Sequence, residues 1–219
     1  MYKTKELFDL DKTIAKDHLL KYEYPWEALK GISDLIIELG KNLNKDEYTE
    51  VSENVWIHKS AKVMPSAYIG APTIIGENVE VRHCAFIRGS ALIGKDSVIG
   101  NSCELKNVII CEHVEVPHFN YVGDSILGYK AHMGAGSVTS NFKADHNNIT
   151  IKDGDKNIET GLRKIGAMIG DYSEIGCNAV LNPGTIIGRN CIIYPTSCVR
   201  GTVKENTIFK QDGTIKDKE

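Results

Sequence analysis

The chain has 219 residues, a formal net charge of -3 and 42% hydrophobic residues. That is apolar material enough for a sizeable core. The charge balance excludes the strongly basic field of a nucleic-acid-binding protein. No apolar run approaches the ~18 residues that a membrane span needs, and MYKTKELFDLDK at the N-terminus lacks the apolar segment and cleavage site of a signal peptide. The six cysteines (Cys84, Cys103, Cys111, Cys177, Cys191 and Cys198) form no CxxC pair. Scattered cysteines without a secretion signal predict reduced thiols and a cytoplasmic location, with neither nucleic acid nor membrane as a partner.

Residues 1–50 read as a helical segment. Stretches 15–23 and 26–44 carry apolar residues at helical spacing, for instance Trp26, Leu29, Ile32, Leu35, Ile36 and Leu39. Pro25 suits a helix start and Gly40 a helix stop. A solenoid needs its end covered, so these helices are expected as a cap on the first coil.

From residue 51 to 210 the chain is dominated by a period of six. Stepping by six from Ile57 to Leu105, and again from Ile169 to Val199, every residue is aliphatic; the residue two places earlier is always small or β-branched. A helix would repeat near 3.6 and an ordinary strand near 2. Six fits a short strand followed by a corner, three strands making a triangular coil of ~18 residues, a parallel β-helix. Gly follows many of these aliphatics, for example Gly76, Gly94 and Gly176, where the corner is expected to need unusual backbone angles. The period is disturbed but persists at Ile110, Val116, Val122, Leu127 and Met133, then breaks. Residues 141–164 are polar and read as an inserted loop or β-arm leaving the coil. Residues 211–219 read as a polar, frayed tail.

Two stretches carry a resemblance. VPHFNYVGDSILGYKAHMGAGSVTSN (Val116–Asn141) resembles the acetyltransferase domain of the bifunctional N-acetylglucosamine-1-phosphate uridyltransferases. TGLRKIGAMIGDYSEIGCNAVLNPG (Thr160–Gly184) is similar to archaeal-type sugar-phosphate nucleotidyltransferases with a C-terminal β-helix. The resemblance covers about residues 55–203. It implies a left-handed coil, against the usual right-handed crossover, a homotrimer, and N-acetylation of an amino-sugar phosphate such as glucosamine 1-phosphate by acetyl-CoA. Carried over residue by residue, it implies His118 as general base and Glu104 as its assistant. It implies Arg88 and Lys106 at the sugar phosphate, Tyr121, His132 and Asn141 at the sugar, and Ala135 and Cys177 on the coenzyme side. No metal is implied. Cations suit a dianionic phosphate, and a histidine can take the proton that makes an amine nucleophilic near neutral pH.

The chain departs from the family pattern at several positions. His132 stands where the family has Asn, Phe142 where it has Tyr, and Asn147 where a phosphate-binding Lys is expected, with Lys143 and Lys152 nearby in the same loop. Cys177 and Pro195 replace small residues. Residues 1–50 hold no Gly-rich phosphate loop, so no nucleotidyl transfer is expected. Two other readings stay open. One is a non-catalytic trimeric hexapeptide-repeat protein, in which His118, Arg88 and Lys106 are solvated corner residues. The other is a γ-carbonic-anhydrase-like zinc protein using His83, His113 and His118.

Overall fold

The computed structural model describes residues 1–218, and its architecture follows from the six-residue period. Each repeat places two residues inward around one outward residue, then turns. Parallel strands stack coil upon coil. Val55 pairs with Thr73 and Thr73 with Ala91, a step of 18 residues. From Ala91 to Val108 and from Val108 to Ser125 the step is 17. From Ile126 to Met168 it is 42, one ordinary coil plus the 24 residues of the insertion. The inward aliphatics form one continuous core, and the disturbed positions Ile110, Val116, Val122, Leu127 and Met133 belong to it, all fully buried.

The prism has three faces, distinguished by what points outward. On the first face the outward residues are Trp56, Ile74, Leu92, Ile109, Ile126, Met168 and Ile186, every one buried. On the second they are mostly charged or polar, among them Lys62, Glu80, Glu115, His132 and Glu174. On the third, Tyr68, Phe86, Glu104, Tyr121 and Val138 stand side by side.

The N-terminal segment covers the first face instead of capping the first coil. It runs along the prism from its last coils to its first. Glu205 N–H donates to the Tyr2 hydroxyl at 2.7 Å, Asp9 N–H to Asp171 Oδ2 at 2.6 Å, and Glu112 N–H to Lys12 O at 3.0 Å. The helix Ile32–Lys41 ends with Gly40 against the Trp56 ring. Buried Trp26, Leu29, Ile32 and Ile36 pack on the outward aliphatics in a second apolar cluster. The physical reason is the stripe itself. Seven apolar side chains on one flat face need a cover more than the small open end of one coil does. That end stays open, with Ile57, Val63 and Ile69 only partly buried.

Three further expectations are corrected. The glycines after the aliphatics do not supply the left-handed corner. A Cβ on Gly94 would sit 2.7 Å from the Cys111 carbonyl carbon, so glycine there permits the next coil to approach. The positive φ falls later in the corner, on residues such as Asn78, Asp96, Ser102 and Asn190. The insertion departs from the coil as a β-arm but does not project away from it. It forms the hairpin Thr150–Asp153 with Lys156–Glu159 and folds back, burying Ile149 and Ile151. Thr202 Oγ1 donates to Lys152 O at 2.8 Å. The exposed tail is not frayed throughout, since Ile215–Asp217 pairs antiparallel with Thr207–Phe209.

If the first face is a true core, Ile109→Ala leaves a cavity and lowers unfolding free energy by about 2–5 kcal/mol. A solvent-facing prism face would change by about 0.5 kcal/mol or less. Urea denaturation distinguishes the two.

Candidate functional site

Each edge of the prism is a column of corner residues. The edge between the second and third faces carries His118. Its backbone pairs with Asn101, and its carbonyl accepts the N–H of Gly136 at 2.9 Å. The same ladder continues from Ala135 to Asn178 and from Cys177 to Thr196. Asn101, His118, Ala135 and Cys177 therefore follow one another along a single edge, with His118 and Cys177 exposed. His118 is held by Asn120, which occupies an inward position where neighbouring coils carry Cys103 and Ser137. Asn120 Oδ1 accepts the His118 N–H at 3.0 Å, and its amide donates to Gly134 O at 2.8 Å and Ser137 O at 3.1 Å. The imidazole of His118 itself has no hydrogen-bond partner among the described residues.

The edge between the third and first faces is where the repeat is irregular. The steps from Leu105 to Ile110 and from Val122 to Leu127 are five residues long, so the turn tightens and Asn107 and Asp124 take positive φ. The insertion departs from this same edge. Here a polar cluster forms around Asp124, whose side chain is only 5% exposed. Its carboxylate accepts from Lys106 Nζ at 3.1 and 3.2 Å, from Asn107 Nδ2 at 2.9 Å and from Asn141 Nδ2 at 2.5 Å. Asn141 Nδ2 also lies 3.1 Å from the Tyr121 hydroxyl. Gly123 leaves room for that contact, because a Cβ there would sit 2.8 Å from Asn141 Nδ2. Burial, and then the nearby Asp124 charge, push the Tyr121 phenol above its ordinary pKa, so at neutral pH it is an uncharged hydrogen-bonding group.

Of the expected site residues, Arg88, Glu104, Lys106, Tyr121 and Asn141 come together on the third face and its irregular edge. Glu104 does not meet His118 here. Its Oε1 is 2.9 Å from Arg88 Nη1. His132 is not brought to this cluster within one chain. It lies on the second face with Nδ1 2.8 Å from Glu174 Oε2. Asn147 sits at a loop turn, its N–H donating to Asp145 Oδ1 at 3.0 Å. Besides Lys106, which Asp124 already pairs, three cations from other segments lie at this cluster. Lys30 of the N-terminal segment and Arg163 and Lys164 at the end of the insertion line a cleft of about 440 Å³ with Asp124 and Asn107. All three are exposed and make no ion pair among the described residues. Asn107 Nδ2 lies 3.3 Å from Leu29 O, which ties the segment to the site.

Asp124 escaped sequence reasoning, although its place in GDS beside a shortened repeat was a readable signal. Lys30 carried no such signal. The zinc arrangement is not assembled. His113 lies on a different edge, 3.4 Å from Asp96 Oδ2, and Asn101 separates His83 from His118. Among the described residues no three or more His, Cys, Asp or Glu side chains are placed to share a metal. Among the described residues no helix is long and apolar enough to cross a membrane.

The family model "Bacterial transferase hexapeptide (six repeats)" matches residues 54–89 and 166–201. The chain is 31% identical to a bifunctional sugar-1-phosphate nucleotidylyltransferase/acetyltransferase of Sulfurisphaera tokodaii, over 94% of this chain and 54% of that protein. It is 31% identical to the bifunctional protein GlmU of Methanococcus maripaludis strain S2, over 88% of this chain and 47% of that protein. The chain thus spans about half the length of these relatives. It also superposes on the polySia-specific acetyltransferase NeuO with a TM-score of 0.48 at 16% identity, over 72% of this chain and 82% of that one.

Removing the Asp124 carboxylate strands Lys106 and unties Asn141. Asp124→Ala is expected to destabilise the fold by about 3–5 kcal/mol, the usual cost of breaking a buried pair from one side. Adding Lys106→Met recovers part of that loss, which a denaturation double-mutant cycle measures.

Proposed function

We propose, from the premise that this is a hexapeptide-repeat chain, that it is an acetyl-CoA-dependent N-acyltransferase for an amino-sugar phosphate, working as a homotrimer. The observation that carries this reading is the third face. It has an unpartnered imidazole at one edge, a cation-rich polar cluster at the other, and the Tyr121 ring between them. A sugar lying across that face has its amine at one edge and its phosphate at the other.

His118 takes the proton that the amine must lose on attack, a role imidazole fills near neutral pH. Asn120 fixes the corner from which the ring projects. Glu104 acts through Arg88, setting the guanidinium in place. Arg88 and Lys106 are each already paired with a carboxylate. The net positive charge for a phosphate therefore comes from Lys30, Arg163 and Lys164, replacing the cation expected at Asn147. The coenzyme, when bound, supplies the acyl thioester. The small residues Gly134, Ala135 and Gly136 beside His118 leave that edge open enough for its narrow arm, and Cys177 lies farther along.

Self-association is supported by what the N-terminal segment leaves bare. The first face is covered, whereas Phe119 is 64% exposed, Tyr68 60% and Phe86 43%, all on the third face or at its His118 edge. A neighbouring protomer packed there would close the site from water, and its second face would bring His132 within reach.

Thiol release from acetyl-CoA is expected with glucosamine 1-phosphate and far less with free glucosamine. His118→Ala should lose roughly 10²- to 10⁴-fold in rate, and retention of more than about half the rate would rule out the base assignment. Lys164→Ala should raise KM for the phosphate with little change in kcat. Light scattering is expected to give a trimer. A stable monomer at micromolar concentration would sink the shared site.

A further inference from the structure

The folded-back hairpin encloses a second cleft of about 730 Å³. Phe142 forms the wall between it and the smaller cleft over Asp124, lining both. The register places the two on one edge of the prism. Lys106 pairs with Gly123, Val122 with Thr139, Thr139 with Leu181 and Leu181 with Val199, so Ser140, Asn182 and Arg200 follow Lys106 along the column. Four strand spacings separate Lys106 from Arg200, roughly 19 Å. That is longer than a sugar monophosphate.

The cleft is built for an anion with a flat ring. Its cations are Lys143, Lys152 and Arg200, and its anions are Asp145 and Glu159. Asp145 is taken by Lys143 at 3.2 Å, and Glu159 accepts from Thr150 Oγ1 at 2.8 Å. Lys152 and Arg200 are exposed and make no ion pair among the described residues. Phe142 offers an aromatic surface, and Asn157 and Asn182 stand on the lining. Amide groups, an aromatic ring and unpaired cations are the donor set that recognises base, stacking plane and phosphate.

We propose that this cleft is a nucleoside diphosphate site, with Phe142 against the base and Lys152 and Arg200 on the phosphates. Such a ligand comes from one of two sources, a nucleotide-linked amino sugar or the adenosine diphosphate end of coenzyme A. Naming those sources rests on the transferase reading, whereas the binding does not. The test is calorimetric titration of UDP, ADP, coenzyme A and glucosamine 1-phosphate into the wild type, Lys152→Ala and Arg200→Ala. Either substitution should weaken nucleoside diphosphate binding roughly 10- to 100-fold, the effect of losing one charged contact, and leave glucosamine 1-phosphate unaffected. Weakened UDP with unchanged coenzyme A assigns the cleft to a nucleotide-linked sugar. Weakened ADP and coenzyme A assign it to the coenzyme. If no nucleotide binds the wild type, or if binding ignores both substitutions, the proposal is overturned. Thiol release with glucosamine 1-phosphate in that case leaves the transferase standing without the cleft. Nucleotide binding without thiol release leaves the cleft without the transferase.

Discussion

Everything in this molecule depends on one steric constraint. A coil only 17 or 18 residues long must bury its inward side chains while the next coil lies one strand spacing away, about 4.8 Å. That spacing requires small residues at the crowded inward positions and glycine where backbones approach, as at Gly94 and Gly100. It also requires a left-handed residue at nearly every corner, met mostly by Asn, Asp and Ser. A buried polar residue survives inside such a coil only if fully bonded. Asn120 meets that condition by tying together the coil before and the coil after His118.

The regularity makes the exceptions informative. Two shortened corners and the 24-residue insertion all lie on the edge between the third and first faces. A regular edge would repeat one geometry down its length and hold nothing in particular. Dropping a residue pulls Asp124 inward beneath Lys106 and Asn141, and the insertion returns at Lys164 beside them. Charge is then concentrated around a buried carboxylate. The edge between the second and third faces keeps its regular step at His118, whose side chain is exposed at the corner.

The N-terminal segment has two roles through one packing decision. Its apolar side chains meet the outward aliphatics of the first face, which gives the prism a second core outside its walls. The same docking delivers Lys30 to the Asp124 cleft and ties Leu29 to Asn107. It also covers the first face, so Tyr68, Phe86 and Phe119 are the exposed aromatics left on the third face and its His118 edge.

The period of six by itself determined the solenoid, its inward ladder and the extent of the insertion, because a one-dimensional repeat reports directly on which residues share an interior. It also carried a signal not drawn from it, the recurrence of outward apolar residues from Trp56 to Ile186 every 17 or 18 residues outside the insertion, which marks one face for covering. Matching motifs named Arg88, Lys106, Tyr121 and Asn141 as neighbours, and the coils bring them together. Only the tertiary structure decided where the helices dock, that glycine serves close approach, and that Lys164 lies by the Asp124 cluster while Asn147 does not. Those outcomes depend on contacts between residues far apart in the chain, such as Tyr2 with Glu205 and Leu29 with Asn107. A local pattern fixes each residue's face and height on the prism, but which distant segment covers that face is settled by burial and charge in three dimensions.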